Sequence, residues 1–148
     1  MPGYNRHRIF NYIIFITIAF ILYSENIISP GPGMLLAICL GFYIGTEFVT
    51  PDLDINSAAY KRWGRLKILI LPYKWLFKHR QSSHNIFYGA IVRILYISII
   101  ILGFYYLIFK SLPLELDLSP VYVIIFLIGI ITANALHVIL DNLPFRVL

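Results

Sequence analysis

The sequence predicts an all-α polytopic membrane protein, a four-transmembrane-helix bundle with a short interfacial helix in its central cytoplasmic loop. Of its 148 residues, 59% are hydrophobic and only 13% are charged, which is too little polar surface for a water-soluble domain. Four apolar segments approach the roughly 20 residues that cross a bilayer as a helix: residues 8–23, 33–49, 86–109 and 121–140. We expect residues 1–148 to form one membrane-embedded helical domain.

The four segments are separated by residues that break helices. The basic start "YNRHR" could introduce a signal peptide, but "LYSENIISPGPG" has no small-residue cleavage site, so we expect a retained helix. "ISPGPG" separates the first two segments, and "SLPLELDLSP" separates the last two. Pro51 should end the second segment, because a residue before proline is pushed out of the helical region.

The one long connection, residues 51–85, contains an apolar stretch that is too short to span a bilayer. This stretch is "LKILILPYKWLFK", which Pro72 splits. Its lysines, together with Tyr73 and Trp75, predict a segment that lies in the membrane interface with its aromatic rings at headgroup level. A re-entrant segment is the alternative.

The positive charge is concentrated on one predicted side of the membrane. Seven of the twelve Lys and Arg residues lie within 61–80, whereas the connections 24–32 and 111–119 contain none. This pattern places both termini and the central loop in the cytoplasm of a prokaryote, with the chain in its inner or plasma membrane. A basic face against anionic lipid explains the net charge of +5, so membrane lipid is the expected partner and nucleic acid is not.

The chain has one cysteine, Cys39. It therefore has neither an intrachain disulfide nor a zinc site built from several cysteines. We expect Cys39 to be a small residue buried between helices.

Polar side chains collect at the predicted cytoplasmic ends of the helices. All four histidines and three of the four aspartates fall there; they are His7, Asp52, Asp54, His79, His84, His137 and Asp141. In "HVILD" the i, i+4 spacing puts His137 and Asp141 on one face of a helix, as in helical pairs of metal ligands. A helix-end pair that contacts water, or each other, is the alternative.

The other polar motifs each allow two interpretations. The close carboxylates of "PDLD" need a nearby cation or arginine, or they cap a turn. "HRQSSH" either wraps a cation or is an ordinary solvated loop.

Arg93 lies about two turns inside the third segment, where an unpaired charge costs ~2.5 kcal/mol or more. It should reach an aspartate or a substrate phosphate, or else extend toward the membrane surface. Asn134 either orients a ligand or joins two helices, and Glu47 is a further acid.

The order of these motifs resembles a known family. "PDLD", "RWG" at 62–64, "PY" at 72–73, "HRQSSH", and Arg93 with Tyr96 resemble small metal-binding membrane proteins of unknown function from cyanobacteria and archaea. That family is similar to the LexA-binding, inner-membrane-associated metal-dependent hydrolases, which carry "HRG.TH". More distantly, the "H...D" pair is similar to ligand pairs of zinc-dependent phospholipase C and P1-type nucleases. The close match covers residues 45–96, and His7 and "HVILD" extend it more loosely.

The resemblance implies metal-binding roles for His7, Asp52, Asp54, His79, His84, His137 and Asp141. The chain lacks the second "H...D/E" pair of the soluble enzymes, which argues against a full trinuclear zinc centre. Seven candidate ligands exceed one four-coordinate ion, so either two metals bind or some residues orient the ligands. Imidazole and carboxylate ligands suit zinc first, or manganese or iron.

The functional expectation is a metal-dependent hydrolase of phosphoesters, with a phospholipid as the nearest abundant substrate. Asp54, or Asp52, would be the general base, and Arg80 and Arg93 would hold the phosphate. Two other interpretations stay open. The protein could be a non-catalytic membrane binding or assembly protein with a structural metal. Alternatively, Asp52, Asp54 and Asp141 could pair with the two arginines in a buried polar cluster without metal.

Overall fold

The structure is a computed structural model that describes residues 4–76, 88–111 and 119–143. The regular secondary structure of this part of the chain is all helical, with no strand. Six α-helices follow in order: α1 Tyr4–Ser24, α2 Pro32–Glu47, α3 Ala58–Arg62, α4 Leu71–Leu76, α5 Tyr88–Phe109 and α6 Pro120–Asn142. Two 3₁₀ helices, Pro51–Asp54 and Gly64–Ile70, lie between α2 and α4. The predicted all-α class is confirmed.

Four helical segments are long and apolar enough to cross a membrane. They are Tyr4–Ser24, Pro32–Asp54, Tyr88–Phe109 and Pro120–Asn142, which matches the four predicted segments with shifted ends. The second span ends at Asp54 rather than at residue 49, and α1 starts at Tyr4 rather than at residue 8 and so includes His7 in its second turn. Hydropathy shows where the apolar side chains begin, but the polar residues before them can also be helical, because arginine is a good helix former. The helix therefore starts before the apolar segment does.

Helices α2 and α6 form the closest pair because glycines let their backbones touch. A Cβ atom on Gly41 would collide with the carbonyl group of Phe126, and one on Gly129 would lie 2.5 Å from the carbonyl oxygen of Ile38. Gly45 faces Ile130 and Ala133 in the same way. Small residues four positions apart are typical of close helix pairs in membranes. This contact fixes the end of α2 against the last turns of α6.

Helix α1 packs across this pair through polar as well as apolar contacts. The Asn11 side-chain amide donates to the Thr46 hydroxyl at 3.3 Å and to the Ala133 carbonyl oxygen at 3.1 Å. Phe15 stacks on Phe42 with the ring centroids 4.0 Å apart. Because Asn11 contacts both α2 and α6, it fixes the rotation of α1, and with it the direction of His7 one turn earlier.

The central segment folds back against the ends of the long helices. Its buried side chains Leu53, Tyr60, Ile70 and Tyr73 join one core cluster with Ile97 of α5 and Ile130 of α6. Tyr73 does not expose its ring as an interfacial aromatic residue would, because it is 1% exposed and packs beside Tyr96. Trp75 is 79% exposed, so it remains available for an interface. Helix α4 matches the predicted short helix in position, and its interfacial location stays a prediction.

The expectation for Cys39 is wrong. Its side chain is exposed on the outside of α2, whereas the face that contacts α6 carries Gly41 and Gly45. Hydropathy shows that a residue belongs to an apolar helix, but it does not show which side of that helix packs against a neighbour.

Candidate metal centre

Two imidazoles and a carboxylate meet where the start of α1 lies against the end of α6. His7 Nε2 is 3.2 Å from Asp141 Oδ1, and His137 Nε2 is 3.6 Å from Asp141 Oδ2. The two imidazole rings are stacked, with their centroids 3.9 Å apart and their planes 11° from parallel. His137 and Asp141 lie one turn apart on α6, as the "HVILD" spacing predicts, and His7 joins them from the first helix.

The turn after α2 adds a second carboxylate. Asp52 Oδ2 is 3.5 Å from His137 Nε2. The Asp52 backbone N–H donates to the Thr50 hydroxyl at 3.2 Å, and the fully buried Leu53 side chain holds the 3₁₀ helix in the core. These local contacts direct Asp52 toward α6: Thr50, rather than an aspartate, caps the "PDLD" turn, and Asp52 supplies a carboxylate to the cluster.

The donor set could hold a metal ion. One ligand atom from each of His7, His137 and Asp141 lies within 4.8 Å of the others. Ligands in a tetrahedral zinc site with bonds of about 2.1 Å are about 3.4 Å apart, close to the nitrogen–oxygen distances of 3.2–3.6 Å. These distances exceed the roughly 2.7–2.9 Å of charge-assisted hydrogen bonds. The side chains are also largely removed from solvent, at 3% for His7 and 7% for Asp141.

Arg93 and Asp54 lie beside this cluster in the interior of the bundle. Arg93 is fully buried; its guanidinium donates to Asn134 Oδ1 at 2.8 Å and to the Tyr73 hydroxyl at 3.5 Å. The charges of Asp54 and Asp52 also act on it. Burial raises the pKa of the Tyr73 hydroxyl, which keeps it a neutral partner for Arg93. The inward direction predicted for Arg93 is thus observed, and Asn134 joins α5 to α6.

Three predicted site residues lie outside the described part of the chain. His79, Arg80 and His84 belong to "HRQSSH", within residues 77–87. Their predicted roles as metal ligands and phosphate contact stay predictions.

A second polar cluster surrounds Glu47 at the same end of the bundle. Its carboxylate accepts hydrogen bonds from Tyr4 at 2.7 Å and Tyr12 at 3.0 Å, and it forms ion pairs with Arg8, at 2.9 Å, and with Arg62. These contacts tie α1 to α2 and α3. The sequence allows two interpretations of Glu47, a spare acid or a structural group, and the contacts show the structural one. The distance of Arg8 and Arg62 from Glu47 along the chain gives no sign that these side chains meet it.

Comparison with known proteins assigns a family. Residues 2–147 match the family described as "Uncharacterized metal-binding protein (DUF2227)". The chain belongs to this family.

A relative in Aquifex aeolicus (strain VF5), described as an uncharacterized protein, is 40% identical over 60 residues. The match covers 39% of this chain and 42% of the relative, so it spans less than half of that protein. No solved structure matches the chain. The family thus agrees with the expected metal binding, and His7, His137 and Asp141 form a group that could hold the ion.

Proposed function

We propose that this family member is an integral membrane protein that binds a divalent metal, zinc in the first place, between α1 and α6. The observation that carries this proposal is the meeting of His7, His137 and Asp141 from opposite ends of the chain, with ligand atoms within 4.8 Å. Asp52 completes a mixed imidazole and carboxylate donor set that manganese or iron would also accept. Such a buried donor set is costly without a cation to balance its carboxylates.

The outward faces of the long helices support the membrane part of the proposal. Large apolar side chains are exposed on each of them, including Phe20, Leu36, Ile99 and Ile124. In water this surface would be a strong association hazard, whereas in lipid it is the favoured exterior. The basic central segment then faces the cytoplasm, as do both termini. The bundle forms one membrane-embedded domain of the prokaryotic inner or plasma membrane.

The activity that suits this centre is hydrolysis of a phosphoester at the cytoplasmic face, with membrane phospholipid as the nearest substrate. A divalent metal in the centre would supply activated water and stabilise charge on a phosphoryl oxygen. Asp54 is the proposed general base, and the charge of Arg93 acts on its carboxylate. Arg93 is fully buried and donates to Asn134. Arg80 is therefore the better candidate for binding the phosphate.

Metal content tests the first part of this proposal. We expect the protein purified in detergent to contain zinc by mass spectrometry of the elements, and His7→Ala and His137→Ala to lose most of it. Asn142→Ala is the matched control, because Asn142 lies beside Asp141 but bonds its own helix at the Val138 carbonyl. Equal zinc contents in all four proteins would refute the proposed centre.

Hydrolysis of chromogenic phosphodiesters and phosphomonoesters tests the second part. Loss of a general base lowers rates by about 10²–10⁴-fold. We therefore expect Asp54→Asn to lose activity by that order while it keeps its zinc. Zinc-loaded protein that hydrolyses neither a chromogenic ester nor a phospholipid would reject the hydrolase.

The burial of the cluster favours a second candidate, a non-catalytic assembly protein with a structural metal. In that case the ion holds the first helix to the last, and protein side chains fill every coordination position. Zinc removal would then lower the unfolding temperature of a protein that has no esterase activity to lose.

A further inference from the structure

We infer that the centre is built for two metal ions bridged by Asp141 rather than for a single ion. This inference rests on the proposed metal binding and deepens it. His7 and His137 would each bind their own ion through Nε2, and the two oxygens of Asp141 would each face one of them.

The stacking of the two imidazoles indicates two ion positions rather than one. The lone pair of an imidazole nitrogen lies in the plane of its ring, so a bound ion lies in or near that plane. The rings of His7 and His137 are 11° from parallel, with centroids 3.9 Å apart. An ion placed between them would lie well out of the plane of at least one ring. Two parallel rings instead direct two lone pairs to two neighbouring positions.

The position of Asp141 suits a carboxylate shared by two ions. Its Oδ1 atom faces His7 Nε2 at 3.2 Å, and its Oδ2 atom faces His137 Nε2 at 3.6 Å. A carboxylate that serves one ion would turn one or both oxygens toward the same imidazole. Here each oxygen lies near a different imidazole, so Asp141 could bridge two ions, one held by each ring.

Asp52 makes the two positions unequal. Its Oδ2 atom is 3.5 Å from His137 Nε2, so the His137 position has a second carboxylate. Paired ions in phosphoryl-transfer sites are typically about 3.5–4 Å apart, and the imidazoles here are separated by a similar distance. The bridged pair therefore suits the phosphoester substrate class of the proposed function.

The number of zinc ions bound per chain distinguishes the paired centre from the single-ion binding of the proposed function. Metal-free protein in detergent would be titrated with zinc, and tightly bound zinc would be counted per chain after gel filtration. We expect two ions per chain. One ion per chain would overturn the paired centre and leave the proposed metal binding intact, whereas no bound zinc would overturn both.

Manganese reports on the bridge itself. In a bridged pair the spins of the two Mn²⁺ ions couple. We therefore expect the electron paramagnetic resonance signal of isolated Mn²⁺ to account for less manganese than is bound to the protein. In Asp141→Asn the bound manganese should drop to one ion per chain or less, with the full isolated-ion signal for what remains. Asn142→Ala should behave as the native protein. A full isolated-ion signal from the native protein at every loading would overturn the bridge.

Discussion

Arg93 illustrates how one buried charge can organise the end of the bundle. It is fully buried and donates to Asn134 of α6 and to Tyr73 of α4. The negative charges of Asp52 and Asp54, which follow α2, also act on it. A buried guanidinium is tolerated only when acceptors surround it. Arg93 therefore connects three parts of the chain behind the metal centre, and its removal should matter more for stability than for the metal donors themselves.

Removal of the acceptor on α6 tests this role. Asn134→Ala takes away the oxygen 2.8 Å from the Arg93 guanidinium, and the loss of one acceptor from a buried donor costs about 1–3 kcal/mol. We expect that loss in the free energy of unfolding in detergent. Thr132→Ala is the control, because its exposed hydroxyl bonds only its own helix. Equal stabilities of the two variants would contradict the assigned role of Arg93.

Individual site residues were predictable where chemistry and spacing coincide. His137 and Asp141 share a helix face by their i, i+4 spacing, and the inward direction of Arg93 follows from the cost of a charge in an apolar helix. Asn11 and Glu47 were not predictable, because their partners Thr46, Ala133 and Arg62 come from other helices. Such contacts depend on how each helix is rotated about its axis, and an evenly apolar helix carries no periodic signal for that rotation.

At the level of elements, the contact between α2 and α6 sets the geometry of the centre. Asp52 lies in the 3₁₀ helix that follows α2, and both His137 and Asp141 lie on α6. The glycine contacts bring the two backbones together, so the distance between the carboxylate of Asp52 and the imidazole of His137 depends on helix packing one to three turns away.

A single methyl group tests this dependence. Gly41→Ala places a Cβ atom against the backbone of Phe126, and overpacking of this kind costs typically about 1–3 kcal/mol. We expect a lower unfolding temperature and zinc binding weakened by at least tenfold. Gly103→Ala is the matched control, because a Cβ atom there meets nothing within 4 Å and alanine favours a helix. Unchanged zinc affinity in Gly41→Ala would show that the centre does not depend on this contact.

The long helices were predictable because a continuous apolar segment is a strong local signal. The central segment was only partly predictable. A short helix was expected there and α4 is observed, but Tyr73 and Ile70 enter the core instead of lying on its surface. Composition shows that a segment is amphipathic, while the core of the bundle decides which of its aromatic rings becomes buried.

At the level of the whole molecule, the predicted orientation puts the metal centre on the cytoplasmic side. Labelling of single cysteines tests it, starting from Cys39→Ser. With a thiol reagent that does not cross membranes, Glu25→Cys, between α1 and α2, should react in cells with a permeable outer membrane. Lys67→Cys, in the basic central segment, should react only after the inner membrane is opened. Both positions are exposed in the structure. The reverse pattern would contradict the orientation.

X-ray absorption at the zinc edge of the purified protein tests the central claim, a zinc centre made by the first and last helices, most directly. We predict only nitrogen and oxygen neighbours at about 2.0–2.2 Å, with an imidazole outer-shell signal that decreases in both His7→Ala and His137→Ala. Sulfur at about 2.3 Å, or an imidazole signal that survives unchanged in both variants, would contradict the account.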